Sequence, residues 1–456
     1  MNYAPFPAWH LNRRTFLFLQ GPSSRLFARI ADHLEARGHR CLRINLSAGD
    51  WVFWHDKRAS NFRGGIDEWP NYVAGLLDHE AISDLVLLGE ERPHHRIAVT
   101  AAKTRGVDVF TVEMGYLRPD WVALEYGGSG CNSHFPTDPR HIVHAAAALP
   151  EPDFEHRFSH SFLAEAAADL MFNLPNIVAG PFLFPHYRWH ALFHPLAEYG
   201  GWLKRLASAS RRARNASATM EMLRRRRPPF FLFPLQLETD YQIRSHSPFV
   251  SQHDAIEEVI RSFAARAPVD AEMLFKLHPL DNGLIDWRRS IMASAVFHGV
   301  APRVHFIDGG NLDALLCAAK GVVMINSTVG LQAIRKGIPT KALGVAIYDI
   351  VGLSHQGSID DFWKEPPQPD DRLRDSFLRL IAAALHVRGN FYSRSGIEAA
   401  AGAIAARLHA QTVNKPAALA ATPLRRRPAK VKRPASVPAI PVTAAQEFPH
   451  LASFDV

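Results

Sequence analysis

TFLFLQGPSSRLFARIADHLEARGHRCLRINL, residues 15–46, is the stretch that decides the fold class. Thr15 to Leu19 is a short apolar run, and Gln20-Gly21-Pro22-Ser23 is a turn. From Ser24 to Arg37 the apolar residues Leu26, Phe27, Ile30 and Leu34 recur at helical spacing, and Gly38 stops the pattern. Arg40 to Leu46 reads as a second strand. Strand, turn, helix, strand is a βα rhythm, and its natural architecture is a parallel sheet with helices on its faces.

Working outward, the rhythm repeats. Asp84 to Gly89 is a buried strand, residues 95–105 a helix closed by Gly106, and Val107 to Val112 the next strand. Residues 150–228 are less regular, with helical patches and an Arg-rich helix (Arg211, Arg212, Arg214, then Arg224 to Arg227) ahead of Pro228-Pro229. A second series follows. Its strands are Phe230 to Pro234, Glu272 to Leu277, Arg303 to Ile307, Gly321 to Ile325 and Lys341 to Leu343. Its helices are Asp254 to Ala265, Leu312 to Ala319 and Val329 to Lys336. The expected fold is α/β, with two Rossmann-like lobes, a cleft between them and a disordered basic C-terminal tail. The expected division is 1–205 for the N-terminal lobe and connector, 206–409 for the C-terminal lobe and 410–456 for the tail. Ligands of such sheets sit at the carboxyl ends of the strands.

Composition narrows the function classes. With 456 residues, 47% apolar and 21% charged, a sizeable core is available and global disorder is excluded. Three distant cysteines, Cys41, Cys131 and Cys317, give neither a disulfide framework nor zinc spacing. The N-terminus lacks the pattern of a secretory signal, and no apolar stretch is long enough to span a membrane. The net charge is +8, but residues from 411 onward hold seven Lys/Arg and two Asp/Glu, so the first 410 residues carry only +3. That placement argues against nucleic acid as a partner. Arg425 to Arg433 is a basic cluster suited to an anionic leaflet or to a solvated tail.

Six segments carry candidate chemistry. Gln20-Gly21-Pro22-Ser23-Ser24 opens a helix without being a dinucleotide fingerprint. Glu113, in VEMGYLRPD, is placed at a strand's carboxyl end, and Arg118 offers a planar fork for a carboxylate or phosphate. Gln236 and Asp240 follow another strand, and Asp240 lies among Gln, Thr, Arg244 and His246, surroundings that suit a carboxylate kept ionised. Lys276 and His278 alternate with apolar residues at a strand end and face one side, suited to phosphate oxygens. Asn326, Ser327 and Thr328 connect a strand to a helix; Asn326 or Ser327 can cap it, and the same groups can hold a phosphate. His186, His190 and His194 recur at i, i+4, i+8, but prolines bracket them and no HExxH pattern exists, so no metal is expected. Leu170 to Tyr187 is uncharged, with three prolines, and reads as core, connector or apolar acceptor groove.

Taken together and in order, these segments resemble the capsule polysaccharide biosynthesis/export family, in its KpsS/LipB type of β-Kdo transferase. The resemblance rests on FLQGPSSRLFARIADHLEARGHR (18–40), FRGGIDEWP (62–70) and VEMGYLRPDWVALE (112–125). It continues in PLQLETDYQIRSHS (234–247), FKLHPLDNGLIDW (275–287) and INSTVGLQAIRKGIPTKALGVAIYDIVGL (325–353), and covers roughly residues 15–400. Met114 stands where a second acid is expected. The resemblance implies a GT-B-like glycosyltransferase with no cofactor and no metal. It implies CMP-β-Kdo as donor, a lysophosphatidylglycerol-type lipid as acceptor and capsule assembly and export proteins as partners. The place of action it implies is the cytoplasmic face of the bacterial inner membrane, with the protein peripheral there. Asp240 is then the nucleophile and Glu113 the base. Gln236, Lys276, His278, Asn326, Ser327 and Thr328 bind the donor, and Arg118 or Arg244 the sugar carboxylate or acceptor. Two alternatives stand beside this: a non-catalytic export or scaffold component that binds glycolipid, and a GT-B enzyme using another nucleotide sugar.

Overall fold

The computed structural model describes residues 13–54, 58–159, 162–188 and 192–431. It divides into two units. The first comprises Met1–Arg188, Val345–Ser354 and Pro369–Arg427; the second comprises Trp189–Gly344, His355–Gln368 and Pro428–Val456.

Unit 1 is built on a seven-stranded sheet. Its strands are β1 (Thr15–Phe18), β2 (Arg40–Asn45), β3 (Ala59–Asn61), β4 (Asp84–Leu88), β5 (Asp108–Met114) and β6 (Trp121–Tyr126). The second unit supplies β7 to β11, and β12 (His386–Arg388) returns to the first sheet late in the chain. The order is β12-β6-β5-β4-β1-β2-β3, with β1 to β5 parallel and β6 antiparallel to both β5 and β12. Alternation sorts the core. Phe16 and Phe18 of β1 face the helices Leu26–Glu35 and Arg394–His409, whereas Leu17 and Leu19 face the helices Trp69–His79 and Pro93–Lys103.

Unit 2 holds a five-stranded, all-parallel sheet of β7 (Phe230–Pro234), β8 (Glu272–Lys276), β9 (Val304–Ile307), β10 (Gly321–Met324) and β11 (Thr340–Ala342). Its order is β11-β10-β7-β8-β9. β7 and β8 are buried along their whole length, as strands covered on both faces must be.

The expected boundaries need correction at the carboxyl end. The helix Arg394–His409 belongs to unit 1, because Ala400, Ala401, Ile404, Ala405 and Leu408 pack in the same core as Leu26, Phe27 and Ile30. Glu398 pairs with Arg29 and His33 across that contact. The tail is not disordered from 410. Asn414 is buried and its Oδ1 accepts the Tyr126 N–H at 2.9 Å, while Val413 and Ala418 are also buried. Ala420 N–H donates to His134 O at 2.9 Å. Arg425 donates to Phe135 O and Ile347 O at 2.8 and 2.9 Å, and Arg427 pairs with Glu91. Lys430 donates to three backbone carbonyls of unit 2, those of Arg244, Ser247 and Phe249. These cations are therefore engaged with the protein itself. Lys432, Arg433 and the rest of the tail lie outside the described residues.

Among the described residues, no helix is long and apolar enough to cross a membrane. The uncharged stretch from Leu170 ends the helix Phe162–Val178, with Pro175 inside it, and forms the short helix Gly180–Leu183. The His186, His190 and His194 run is not one helical face. His186 lies beyond Gly180–Leu183, His194 caps the helix Pro195–Ala207, and His190 lies outside the described residues.

Candidate functional site

In unit 2 the chain leaves β7 toward β8 and β9 on one side, and reaches β10 and β11 on the other. The loops after β7 and β10 therefore diverge, which opens the crevice where ligands of parallel sheets bind. Gln236 follows β7 and Asn326 follows β10, and the two clasp each other. Gln236 Nε2 donates to Asn326 Oδ1 at 3.0 Å, and the Asn326 N–H donates to Gln236 Oε1 at 3.1 Å. Asn326 Nδ2 donates to Gln242 O at 2.9 Å. Gln252 holds the other side, accepting the Gln236 N–H at 2.6 Å and donating to Gln236 O at 3.1 Å. This clasp fixes the loop carrying Asp240 against the loop carrying Ser327.

Asp240 is the cap of the helix Tyr241–His246, its Oδ1 accepting the Gln242 N–H at 2.9 Å. Arg244, one turn later, donates to Thr239 O at 3.2 Å and lies over the Tyr241 ring at 4.4 Å. Lys276 ends β8 and is buried; that burial lowers its pKa, against the opposing pull of the Asp308 carboxylate. Asp308 is itself held by Arg205 through two bonds of 3.0 Å and by Arg212 at 3.0 Å. His278 Nδ1 accepts the Leu280 N–H at 3.1 Å, so in the neutral ring the proton sits on Nε2. Ser327 Oγ accepts the Val329 N–H at 3.2 Å, and Thr328 occupies the cap position of the helix Val329–Arg335. Neither capping candidate, Asn326 or Ser327, holds the cap position itself; Ser327 still accepts the first N–H of the helix, whereas the Asn326 side chain is committed to the clasp.

The loops that carry Asp240 and His278 also wall a cavity of about 170 Å³, lined by Phe193, Glu198, Trp202, Glu238 and Asp281 among others. Burial pushes the Glu238 carboxyl up to about 7, although it accepts the Gln252 N–H at 3.0 Å. Burial also raises Asp281, which accepts the Gly283 N–H and the Trp287 Nε1–H. Glu198 and Trp202 come from a helix some eighty residues before that loop and are not marked by any spacing. The one local signal is Gly201, where a Cβ would strike Asn282 O.

In unit 1 the corresponding reversal lies between β1 and β4. Gln20 follows β1. It accepts from Arg92 at 2.7 Å and donates to Asp50 at 3.2 Å. After β4 come two buried carboxylates, Glu90 and Glu91. Glu90 accepts the Ser129 N–H at 2.8 Å and Asn132 Nδ2 at 2.9 Å, yet burial still raises its pKa. Glu125 of β6 accepts from Tyr116 OH at 2.6 Å and Ser133 OH at 2.5 Å, and burial pushes it up to about 7.

Glu113 is the penultimate residue of β5, paired with Ala123 of β6. The segment that follows is the turn of a hairpin: Gly115 N–H donates to Trp121 O at 2.9 Å. The Glu113 carboxylate lies over Gly89, where a Cβ would come 2.5 Å from Oε1. A side chain at 89 would displace that carboxylate, and the φ of 61° at Gly89 favours glycine. Arg118 is exposed on the hairpin, with Nη1 at 3.2 Å from Met114 Sδ.

A family described as "Capsule polysaccharide biosynthesis protein" matches residues 83–392. The chain belongs to this family. It is 29% identical over 387 residues to the capsule polysaccharide export protein KpsS of Escherichia coli, covering 84% of this chain and 98% of that protein. It is 30% identical to the capsule polysaccharide modification protein LipB of Neisseria meningitidis serogroup B, covering 83% of this chain and 91% of that one. Among solved structures it is similar to Thermosulfurimonas dismutans KpsC, a beta Kdo 2,7 transferase, at 14% identity and a TM-score of 0.41, covering 80% of this chain and 90% of that one.

In this capsule-family chain, eight of the sequence candidates (Gln236, Asp240, Arg244, Lys276, His278, Asn326, Ser327 and Thr328) are carried by the carboxyl edge of the unit 2 sheet and the loops that follow it. Glu113 and Arg118 are carried by unit 1. Glu90, Glu125 and Glu198 were missed, since an isolated Glu in sequence carries no sign of its burial.

Proposed function

We propose that the chain is a retaining glycosyltransferase that moves β-Kdo from CMP-β-Kdo to a lysophosphatidylglycerol-type lipid, starting the linker of a capsular polysaccharide. The observation that carries this reading is the unit 2 crevice, where a carboxylate, a buried ammonium, an imidazole and two hydroxyls follow β7, β8 and β10. That set matches a sugar linked to a phosphate better than a neutral ligand.

Retention proceeds by two displacements. Asp240 attacks the anomeric carbon as the bond to the phosphate oxygen breaks, and CMP departs with the electron pair. Lys276, the His278 Nε2–H and the hydroxyls of Ser327 and Thr328 stabilise the charge that grows on that phosphate. The acceptor hydroxyl oxygen then attacks the same carbon, Asp240 leaves as carboxylate, and Glu113 takes the hydroxyl proton. Arg244 or Arg118 orients the Kdo carboxylate. Glu238, which burial lifts to about 7, is the other carboxylate on this loop.

The test is incubation with CMP-Kdo, generated in situ, and a fluorescent lysophosphatidylglycerol analogue. Kdo transfer with stoichiometric CMP release is the expected result. Glycolipid binding without turnover would assign a scaffold role, and turnover only with a UDP-sugar would overturn the donor assignment.

A further inference from the structure

Residues 195–227 hold nine Lys/Arg against two Asp/Glu, a net of +7 in a chain whose total is +8. They form two consecutive helices, Pro195–Ala207 and Ala209–Arg226, joined at Ser208. Ser208 N–H donates to Lys204 O and Arg212 N–H to Ser208 O, so the hydrogen-bond ladder runs through the junction. One face packs inward: Gly201, Arg205, Ala216 and Leu223 are buried. The opposite face is inverted from the soluble norm. Leu196, Leu203 and Leu206 are 59%, 69% and 65% exposed. Leu196 and Leu203 lie seven residues apart, so they share one stripe. Lys204, Arg211 and Arg214 stand exposed around and beyond it.

We propose that this face of unit 2 docks on an anionic phospholipid bilayer, with the leucines entering the headgroup–acyl boundary and the cations on the lipid phosphates. Charge complementarity selects the occupant. A helix that displays aliphatic side chains beside Lys and Arg has the pattern of an interfacial segment. A nucleic acid would use the cations but leave the leucines in water, and the acidic tracts of a protein partner would do the same. The tail, which seemed suited to the role in sequence, commits Arg425, Arg427 and Lys430 to internal contacts. The proposal rests on the lipid-acceptor reading only for its biological purpose; the surface itself is read from exposure and charge.

The full chain is floated with vesicles of mixed phosphatidylglycerol and phosphatidylcholine, and with phosphatidylcholine alone, without any nucleotide sugar. Wild type is expected to float with the mixed vesicles only. The triple reversal Lys204→Glu, Arg211→Glu, Arg214→Glu should reduce that binding about 100-fold or more, since each cation near an anionic surface contributes about fivefold. Leu203→Ser with Leu206→Ser should reduce it at least about tenfold and remove the binding that survives high salt. Both sets alter exposed side chains, and circular dichroism checks that the fold is kept. Unchanged flotation of both variants would overturn the proposal and move the contact to another surface. A change in oligomeric state of the Leu203→Ser, Leu206→Ser variant with vesicle binding intact would overturn it in favour of a second copy. Vesicle binding that persists when transfer to the soluble lipid analogue fails would sink the enzymatic reading and leave this one standing.

Discussion

The parallel strands of the two sheets follow one order, and the loops after them carry different chemistry. At its reversal point unit 2 presents Lys276, His278 and hydroxyls, with two amides spent on holding the loops. Unit 1 presents carboxylates at the matching edge, Glu90 and Glu91 after β4 and Glu113 on β5, and buries Glu125 beside them in β6. An edge rich in donors suits a phosphate that gains charge as a bond breaks. Burial raises Glu90 and lifts Glu125 to about 7, and an acid that titrates near neutrality suits proton transfer. The difference also sets what each unit costs to fold: amide clasps are self-satisfied, whereas buried acids need partners brought from elsewhere in the chain.

The hardest blow to this contrast is Asp240→Ala. We predict loss of transfer by at least about 10³-fold, on the order of 4 kcal/mol, with CMP binding within a few-fold of wild type by calorimetry. Near-normal turnover would end the double-displacement assignment. Glu113→Gln should spare the first displacement, so that a Kdo adduct accumulates, visible by intact mass spectrometry and located on Asp240 by peptide mapping.

The next largest effect is on unit 1. A chain ending at residue 410 loses the buried Asn414 and leaves Glu91 without Arg427. It should lose stability by about 1–3 kcal/mol or more, the cost of leaving a buried donor such as the Tyr126 N–H without its acceptor. A chain ending at 431 should melt like wild type. Equal melting temperatures for both truncations would show that the segment 411–431 adds nothing to the fold.

Glu125 sharpens the comparison through pH. Its pKa rises from the ordinary 4.5 to about 7, so across that window the folded chain keeps a proton that the unfolded chain has released. Stability from this group is therefore full below pH 4.5 and declines as pH rises to about 7, by up to about 3 kcal/mol. Glu125→Gln should flatten that part of the stability profile, and an unchanged slope would refute the assignment. The smallest effect is Ser327→Ala, which should weaken donor binding by about 1.5–3 kcal/mol, the scale of a hydrogen bond to a charged group. The donor KM reads it directly.

Much of the fold was legible because its strands are short apolar runs with turn residues at both ends. Phe230–Pro234 was placed residue for residue, and Leu312–Ala318 and Val329–Arg335 to within one. What escaped reading depends on partners distant in sequence. His386–Arg388 is three residues long and is a strand only because it pairs with Trp121–Ala123. Asn414 looks like any polar residue in a Pro/Ala-rich tail until it meets the Tyr126 N–H. In the site, Asp240, Lys276, His278 and Ser327 were visible because each follows or ends a strand. The clasp between Gln236 and Asn326 joins positions ninety residues apart, and no local pattern announces it.

The return of the carboxyl end to unit 1 also orders events during synthesis. Phe16, Phe18, Phe27 and Val112 are covered by Ala400, Ala401, Ile404 and Leu408. At about 5–20 residues per second, the ribosome reaches those last positions on the order of 15–60 s after finishing β6. Unit 2 can close in the interval, since nearly all of it lies between Trp189 and Gln368. The nascent first sheet must wait with that face only partly covered, by the helix Leu26–Glu35, and exposed apolar surface of this kind is what favours aggregation before folding is complete.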